Sequence, residues 1–196
     1  MKMTGDRASS EETTERAAVD RLALRLEDFL PYLLNVAASL ISQALSRIYA
    51  DRYRIGVPEW RVLVTLGQYG VMTSTQIGLH SHMHKTKVSR AVAALEKRRL
   101  LSRRANPADM RESLLSLTPA GRAVYEDLVP DAVDFARRLT ATIDPADRAA
   151  FDRALRRLIE RSSALIAESA GAGAKSGRAK RNTARRGIAA SSAEEA

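Results

Sequence analysis

An amphipathic basic helix followed at once by a basic hairpin is the pattern that most constrains this chain. Between Lys85 and Arg104, the residues Lys85, Lys87, Arg90, Lys97, Arg98, Arg99, Arg103 and Arg104 surround a single acid, Glu96. At a helical step Val88, Ala91, Val92 and Leu95 share one arc, while Thr86, Ser89, Arg90 and Ala93 fall opposite. One face is built to bury. The other carries small, hydroxylated and cationic groups that let a helix lie close to base edges, with Lys85 and Lys87 placed for flanking phosphates. A solvated helix face carries charge runs of the same kind, so the helix alone leaves both readings open.

The residues that follow favour nucleic acid. Leu100–Arg104 and Glu112–Leu117 read as short strands, joined through Ala105–Arg111 with Asn106 and Pro107 as turn formers. Thr118-Pro119 then supplies a helix N-cap followed by proline at the first helical position, where the missing N–H costs nothing. A basic hairpin fenced by helices has the form of a wing.

Helix, LEKRRLLSRR, DMRESLLSLTPAG, helix: in this order the chain resembles the winged helix-turn-helix of the MarR family of transcription regulators, from about Asp28 to Leu165. The most specific part is Asp109-x-Arg111 followed by Leu117-Thr118-Pro119-Ala120-Gly121, which is similar to the family's wing signature. The resemblance implies a mainly α fold, with long N- and C-terminal dimerisation helices and a two-stranded wing. It implies that Arg111 reaches the minor groove and that Asp109 orients the wing. The chain departs from the pattern in the turn before the recognition helix, which reads Ser81-His82-Met83-His84 where the family has an apolar residue, a glycine, an apolar residue and an acidic cap. Histidine tolerates a left-handed backbone better than most residues, which suits His82 to the glycine position at small cost. The apolar contact expected at Ser81 is lost.

His80, His82 and His84 alternate, and imidazoles on one face of an extended segment can converge on zinc. They are the chain's 3 histidines and it has 0 cysteines. Turns and helix ends commonly expose histidine without a ligand, so no metal and no cofactor are expected. The lack of cysteine excludes a thiol switch and fits a reducing compartment.

A chain of 196 residues with 45% hydrophobic side chains can bury the core of one domain. Its net charge of +9 favours a polyanionic partner. No apolar run approaches the length of a membrane span, and the opening MKMTGDRASSEETTER lacks the hydrophobic centre of a signal peptide, so a cytoplasmic location is expected. The predicted organisation is a polar, disordered leader over 1–23, the winged-helix domain with its dimerisation helices over 24–169, and a disordered basic tail over 170–196. Within the domain, Asp28 is the expected cap of a first helix running to Ile48. Pro58 and Gly70 bound a second, Thr73 or Ser74 caps a third, and Pro130 should bend or break the helix that begins at Pro119. Asp144-Pro145 caps a last helix whose apolar stripe of Phe151, Leu155, Leu158, Ile159 and Leu165 lacks cover in a small domain. A two-fold homodimer, as the resemblance implies, would supply it; packing within one chain is the rival.

The family's cleft between the first, second and fifth helices would be lined here by Tyr32, Asn35, Ser39, Trp60 and Arg61, a set suited to a planar acid held by guanidinium. The stretch FLPYLLNVAASLISQALSRIYADRYRIGVPEWRVL is also similar to a subgroup associated with aromatic-acid catabolism, which implies an aromatic acid or its coenzyme A thioester as effector. The expected function is a ligand-responsive homodimeric repressor of a palindromic double-stranded operator. In it Thr86, Ser89 and Arg90 read bases, Lys85, Lys87, Ser74 and Gln76 take phosphates, and Arg103, Asp109 and Arg111 serve from the wing. An effector-free architectural DNA-binding protein is the alternative. An enzyme is not expected, because the chain has no phosphate loop, cysteine nucleophile or recognisable serine triad.

Overall fold

The computed structural model describes residues 24–191, with side chains described through residue 169; the predicted leader over 1–23 lies outside the described residues. A 3-10 turn, Leu26–Asp28, leads into α1 (Leu30–Tyr53), α2 (Val57–Tyr69), β1 (Met72–Thr73), α3 (Ser74–Ser81) and α4 (Lys85–Lys97). Strands β2 (Leu101–Ala105) and β3 (Ser113–Leu117) follow, then α5 (Pro119–Thr140) and α6 (Pro145–Ser191). The fold is mainly helical with one small antiparallel sheet, a winged helix-turn-helix. The chain divides into two compact units, one ending at Phe135 and one beginning at Ala136.

Most predicted helix ends lie where local chemistry puts them. Thr73 rather than Ser74 caps α3, its Oγ1 accepting from the Gln76 N–H at 3.3 Å while Gln76 Oε1 accepts from the Thr73 N–H at 2.8 Å. Gly70 closes α2 with φ +80, a conformation that needs glycine. Thr118 Oγ1 accepts from the Gly121 N–H at 3.0 Å and starts α5. Gly121 itself lies against the Leu100 carbonyl so closely that a Cβ would meet that oxygen at 1.9 Å.

Three expectations need correction. The cap of α1 is Phe29, not Asp28: the Phe29 carbonyl accepts from the Tyr32 and Leu33 N–H groups, and Asp28 is taken up in the 3-10 turn, where its carboxylate meets Arg25 at 3.5 Å. Pro130 lies inside a continuous α5 and does not end it. Buried Val124 and Leu128 anchor the turns just before it, and packing of an apolar face outweighs the lost hydrogen bond. The sheet has three strands in the order β1-β3-β2, because Met72 and Thr73 pair with Leu115 and Leu114 on the edge of the hairpin. The backbone of α6 is helical as far as Ser191.

In the first unit the core gathers where α2, α3, α4 and the sheet meet. Val62, Leu63, Leu66, Ile77, Val88, Val92, Leu95, Leu115 and Leu128 are buried. From α1 only Tyr49 is fully buried, with its ring stacked on that of Trp60 at 4.9 Å and 11°. The preceding turns of α1 expose Leu30, Leu33, Leu40 and Ile41. In the second unit, Asp144 Oδ1 accepts from the Ala146 N–H at 2.8 Å to start α6. Along α6, Phe151, Leu158, Ile159 and Leu165 are exposed, beside ion pairs Arg148–Asp152 at 3.1 Å and Arg161–Glu168 at 2.9 Å.

Candidate nucleic-acid interface

The recognition helix is positioned by burial of one face. Val88, Ala91, Val92 and Leu95 of α4 are buried, and Lys85, Thr86, Lys87, Ser89 and Arg90 stand exposed opposite them. The unusual turn before it works by substitution of function. His82 adopts φ 50, ψ 39, the left-handed conformation that glycine would otherwise fill, and its N–H caps α3. His84 takes the place of the acidic cap, its Nδ1 accepting from the Thr86 N–H at 3.4 Å. Ser81, which offers no apolar contact, returns its hydroxyl to the Ile77 carbonyl at 2.6 Å.

The wing is tied on two sides by carboxylates. Arg103 of β2 donates through Nε and Nη2 to the two oxygens of Glu96, at 3.0 and 2.9 Å, which joins the hairpin to the last turn of α4. This bond holds the Glu96 carboxyl below its ordinary value and outweighs partial burial, which acts the other way. Just before β3, Glu112 Oε1 accepts from the Thr75 hydroxyl at 2.6 Å and joins the hairpin to the first turn of α3. At the tip, Asp109 Oδ1 accepts from the Arg111 N–H at 2.9 Å and Asn106 Oδ1 accepts from the Ala108 N–H at 3.1 Å. Arg111 is left exposed beyond the sheet.

These contacts redistribute the residues predicted to face DNA. Lys85, Thr86, Lys87, Ser89 and Arg90 share the exposed face of α4, with Arg111 at the wing tip. Ser74 is half-buried at the start of α3. Gln76 has its side-chain oxygen engaged in the α3 cap and Arg103 has its guanidinium engaged with Glu96, so both shape the surface. Sequence reasoning missed Thr75, Glu112 and Arg98. Glu112 gave a weak signal as a lone acid entering the wing strand, whereas nothing in composition separates Arg98 from its neighbour Arg99.

Of the candidate ligand residues, the structure brings Asn35, Ser39 and Arg61 together along a groove of about 620 Å³ between α1 and α2, also lined by Ser42, Ser46 and Val57. Trp60 is buried against Tyr49 and Tyr32 lies exposed outside the groove lining. The Ser39 hydroxyl is turned back to the Asn35 carbonyl at 2.8 Å. The Arg61 guanidinium has no acidic partner among the described residues, whose ion pairs lie elsewhere. The three histidines have separate surroundings. The His80 ring lies 4.5 Å from that of Tyr69, His84 caps α4, and no group of three His, Asp or Glu side chains among the described residues could hold a metal ion.

No helix among the described residues is long and apolar enough to cross a membrane. Residues 55–113, from the start of α2 to the second wing strand, match the sequence model of the MarR family. The chain is similar to an uncharacterized HTH-type transcriptional regulator, YwoH, from Bacillus subtilis, with 26% identity over 67% of this chain and 94% of the relative. A crystal structure of a MarR family transcriptional regulator from Silicibacter pomeroyi superimposes with a TM-score of 0.60 and 28% identity, covering 69% of this chain and 90% of that one. A solved structure of Bordetella bronchiseptica BpsR, whose DNA binding is regulated by 6-hydroxynicotinic acid, gives a TM-score of 0.55 at 25% identity over 64% of this chain and 98% of that one. Residues 55–113 therefore carry the sequence pattern of the MarR family, within a winged-helix fold similar to that of the solved MarR family regulators.

Proposed function

We propose that the chain acts as a homodimeric repressor that binds a palindromic operator and releases it when a small aromatic acid, or the coenzyme A thioester of one, occupies the groove between α1 and α2. The observation that carries the DNA-binding part is the division of α4 into a buried apolar face and an exposed face of Lys85, Thr86, Lys87, Ser89 and Arg90, set beside a braced wing that ends in Arg111. Thr86, Ser89 and Arg90 read base edges in the major groove, Lys85, Lys87 and Ser74 meet phosphates, and Arg111 enters the minor groove. Two such helices address half-sites about one helical turn, roughly 10 bp, apart.

Support for the dimer comes from apolar faces left exposed on both the first and the last helix: Leu30, Leu33, Leu40 and Ile41 on α1, and Phe151, Ile159 and Leu165 on α6. Support for an acidic effector comes from Arg61, a guanidinium without an acidic partner on the wall of a groove of ligand size, and from the regulation of the similar BpsR by an aromatic acid. A cytoplasmic location follows from this function.

Footprinting on genomic fragments enriched by the purified protein tests the reading. The expected result is a bounded, two-fold symmetric protected site that is lost on adding the effector. The net charge of +9 favours a second reading, an architectural protein without effector; diffuse protection of every duplex would select it.

A further inference from the structure

Burial alone does not fix where α4 lies. The packing of Val88, Ala91, Val92 and Leu95 decides which face of the helix turns inward, but apolar contact is non-directional and tolerates a small tilt or slide along the axis. A site that reads base edges needs its side chains held to within about 0.5 Å, and directional bonds supply that restraint. On α4 such bonds gather at the last turn. Glu96 takes both ends of the Arg103 fork from β2, and two residues further on Arg98 reaches in another direction, to the end of α1.

Arg98 is an exposed cation in a basic stretch, which by composition is one more phosphate contact. Its guanidinium is spent elsewhere. Nη2 donates to the Tyr53 carbonyl at 2.5 Å and Nη1 to the Arg54 carbonyl at 3.3 Å, so a planar fork spans two successive carbonyls and fixes direction as well as distance. Those carbonyls are held in turn. Arg54 leaves α1 at φ 48 with its N–H on the Ala50 carbonyl at 2.8 Å. The Tyr53 hydroxyl donates to Asp127 at 2.7 Å, and the Arg52 guanidinium divides between Asp127 at 2.5 Å and Asp131 at 2.7 Å, one turn apart on α5.

We propose that Arg98 is a positioning residue for base reading: through residues 52–54 it fixes the C-terminal end of α4 against α1 and α5, and so sets the angle at which Thr86, Ser89 and Arg90 meet a duplex. The lever is long. Thr86 lies about 18 Å from Arg98 along the helix axis, so a tilt of about 5° displaces one end relative to the other by roughly 1.5 Å. That exceeds the tolerance of a hydrogen bond to a base edge, while a contact to a flexible phosphate backbone absorbs it. Arg98 thereby acts on sequence preference without touching DNA. The consequence for base reading rests on the operator-binding reading above; the anchoring itself does not.

Two arms test the two parts. In the first, amide hydrogen exchange is followed on the full-length protein without DNA. Arg98→Gln should speed exchange at the end of α4, residues 94–100, about tenfold, the loss of one charge-assisted contact. Arg52→Gln, which removes a bond to α5, should speed the same residues, and Lys97→Gln should not. An unchanged α4 end in either Arg98→Gln or Arg52→Gln would overturn the anchoring. In the second arm, affinity for the footprinted operator and for a random duplex is measured across salt concentrations. Arg98→Gln should weaken the operator about tenfold and the random duplex less than twofold, with the slope of log affinity against log salt unchanged. Arg98→Lys keeps the charge but lacks the fork, and should regain less than half of the operator loss. A slope lower by about one unit on both duplexes and restored by lysine would make Arg98 a phosphate contact and overturn the positioning role, as would an operator affinity equal to that of the wild type. A wild type without preference for any duplex would remove the operator reading and this second part with it, whereas the exchange result would stand.

Discussion

Arg98, which closes the recognition helix, donates a guanidinium N–H to the main-chain carbonyl of Tyr53 at 2.5 Å and another to the carbonyl of Arg54 at 3.3 Å. Those carbonyls end α1, and Arg54 is in the left-handed conformation with φ 48. The same last turn is held from another direction: Arg52 meets Asp127 and Asp131 of α5, and the Tyr53 hydroxyl donates to Asp127 at 2.7 Å. The far end of the recognition helix is thereby fastened to a turn that is itself fastened to α5. Replacing Arg98 with Ala should lower stability by about 1–2 kcal/mol, the range for partly exposed charge-assisted bonds, measured by urea unfolding. Arg98→Lys, with one donor group instead of a fork, should recover less than half of the loss.

The bond between Arg103 and Glu96 gives a pH signature with a definite sign. The folded protein holds the Glu96 carboxyl below its ordinary value, chiefly through Arg103, so the pair stabilises the fold at neutral pH. That contribution is full above the unfolded-state value of about 4.3 and is lost as pH falls through the lower folded value. Both side chains are partly exposed, so the screened pair contributes about 0.5–1 kcal/mol. The difference in unfolding free energy between the wild type and Glu96→Gln should therefore be flat from about pH 6 to 8 and close below about pH 4. A gap that widened on acidification would contradict the assignment.

His82 is a non-glycine residue at φ 50. A left-handed backbone costs an L-residue about 1–2 kcal/mol, of which the added flexibility of glycine in the unfolded chain offsets about 0.4–1 kcal/mol, so His82→Gly should raise stability by up to about 1 kcal/mol. His82→Val should lower it, since a branched Cβ fits that conformation worst. Thermal unfolding of the two variants decides the matter, and equal melting temperatures would show that the turn relaxes freely.

On the division of roles proposed above, two residues on the exposed face of α4 should fail in different ways. Arg90→Ala should cost about 1–3 kcal/mol on the cognate site and little on random DNA, because a base contact is lost. Lys87→Ala should weaken both alike and reduce the slope of log affinity against log salt by about one unit, because a phosphate contact is lost. Titrations at several salt concentrations separate these outcomes, and identical behaviour of the two variants would remove the division of labour between them.

What was legible in the chain follows from the range of the interactions. The buried and exposed faces of α4, the caps at Thr73, Thr118 and Asp144 and the left-handed His82 are all set by neighbours within a few residues, and the sequence displays those directly. Pairings across long separations were hidden. Met72 joining Leu115, Thr75 reaching Glu112 and Arg98 reaching Tyr53 depend on how the helices stack, and no spacing announces them. Arg103 shows the difference at one residue: its charge and position on the wing suggested a DNA contact, while the fold places Glu96 within reach of its guanidinium. Trp60 is similar, an aromatic side chain whose place in the core is decided by Tyr49 on the preceding helix. At Pro130 the expected break fails for the opposite reason, because a strong local rule yields to the packing of Val124 and Leu128.

On the reading proposed above, the hairpin tied to α4 through Glu96 and to α3 through Glu112 meets a duplex with its conformation already restrained. Its conformational entropy is surrendered during folding and not on encounter, so less of the binding free energy is consumed in ordering a loop. Cutting both tethers should leave the helix contacts in place and appear as a larger entropic penalty in calorimetry, with the lost affinity concentrated at the flanking base pairs that the hairpin tip would touch.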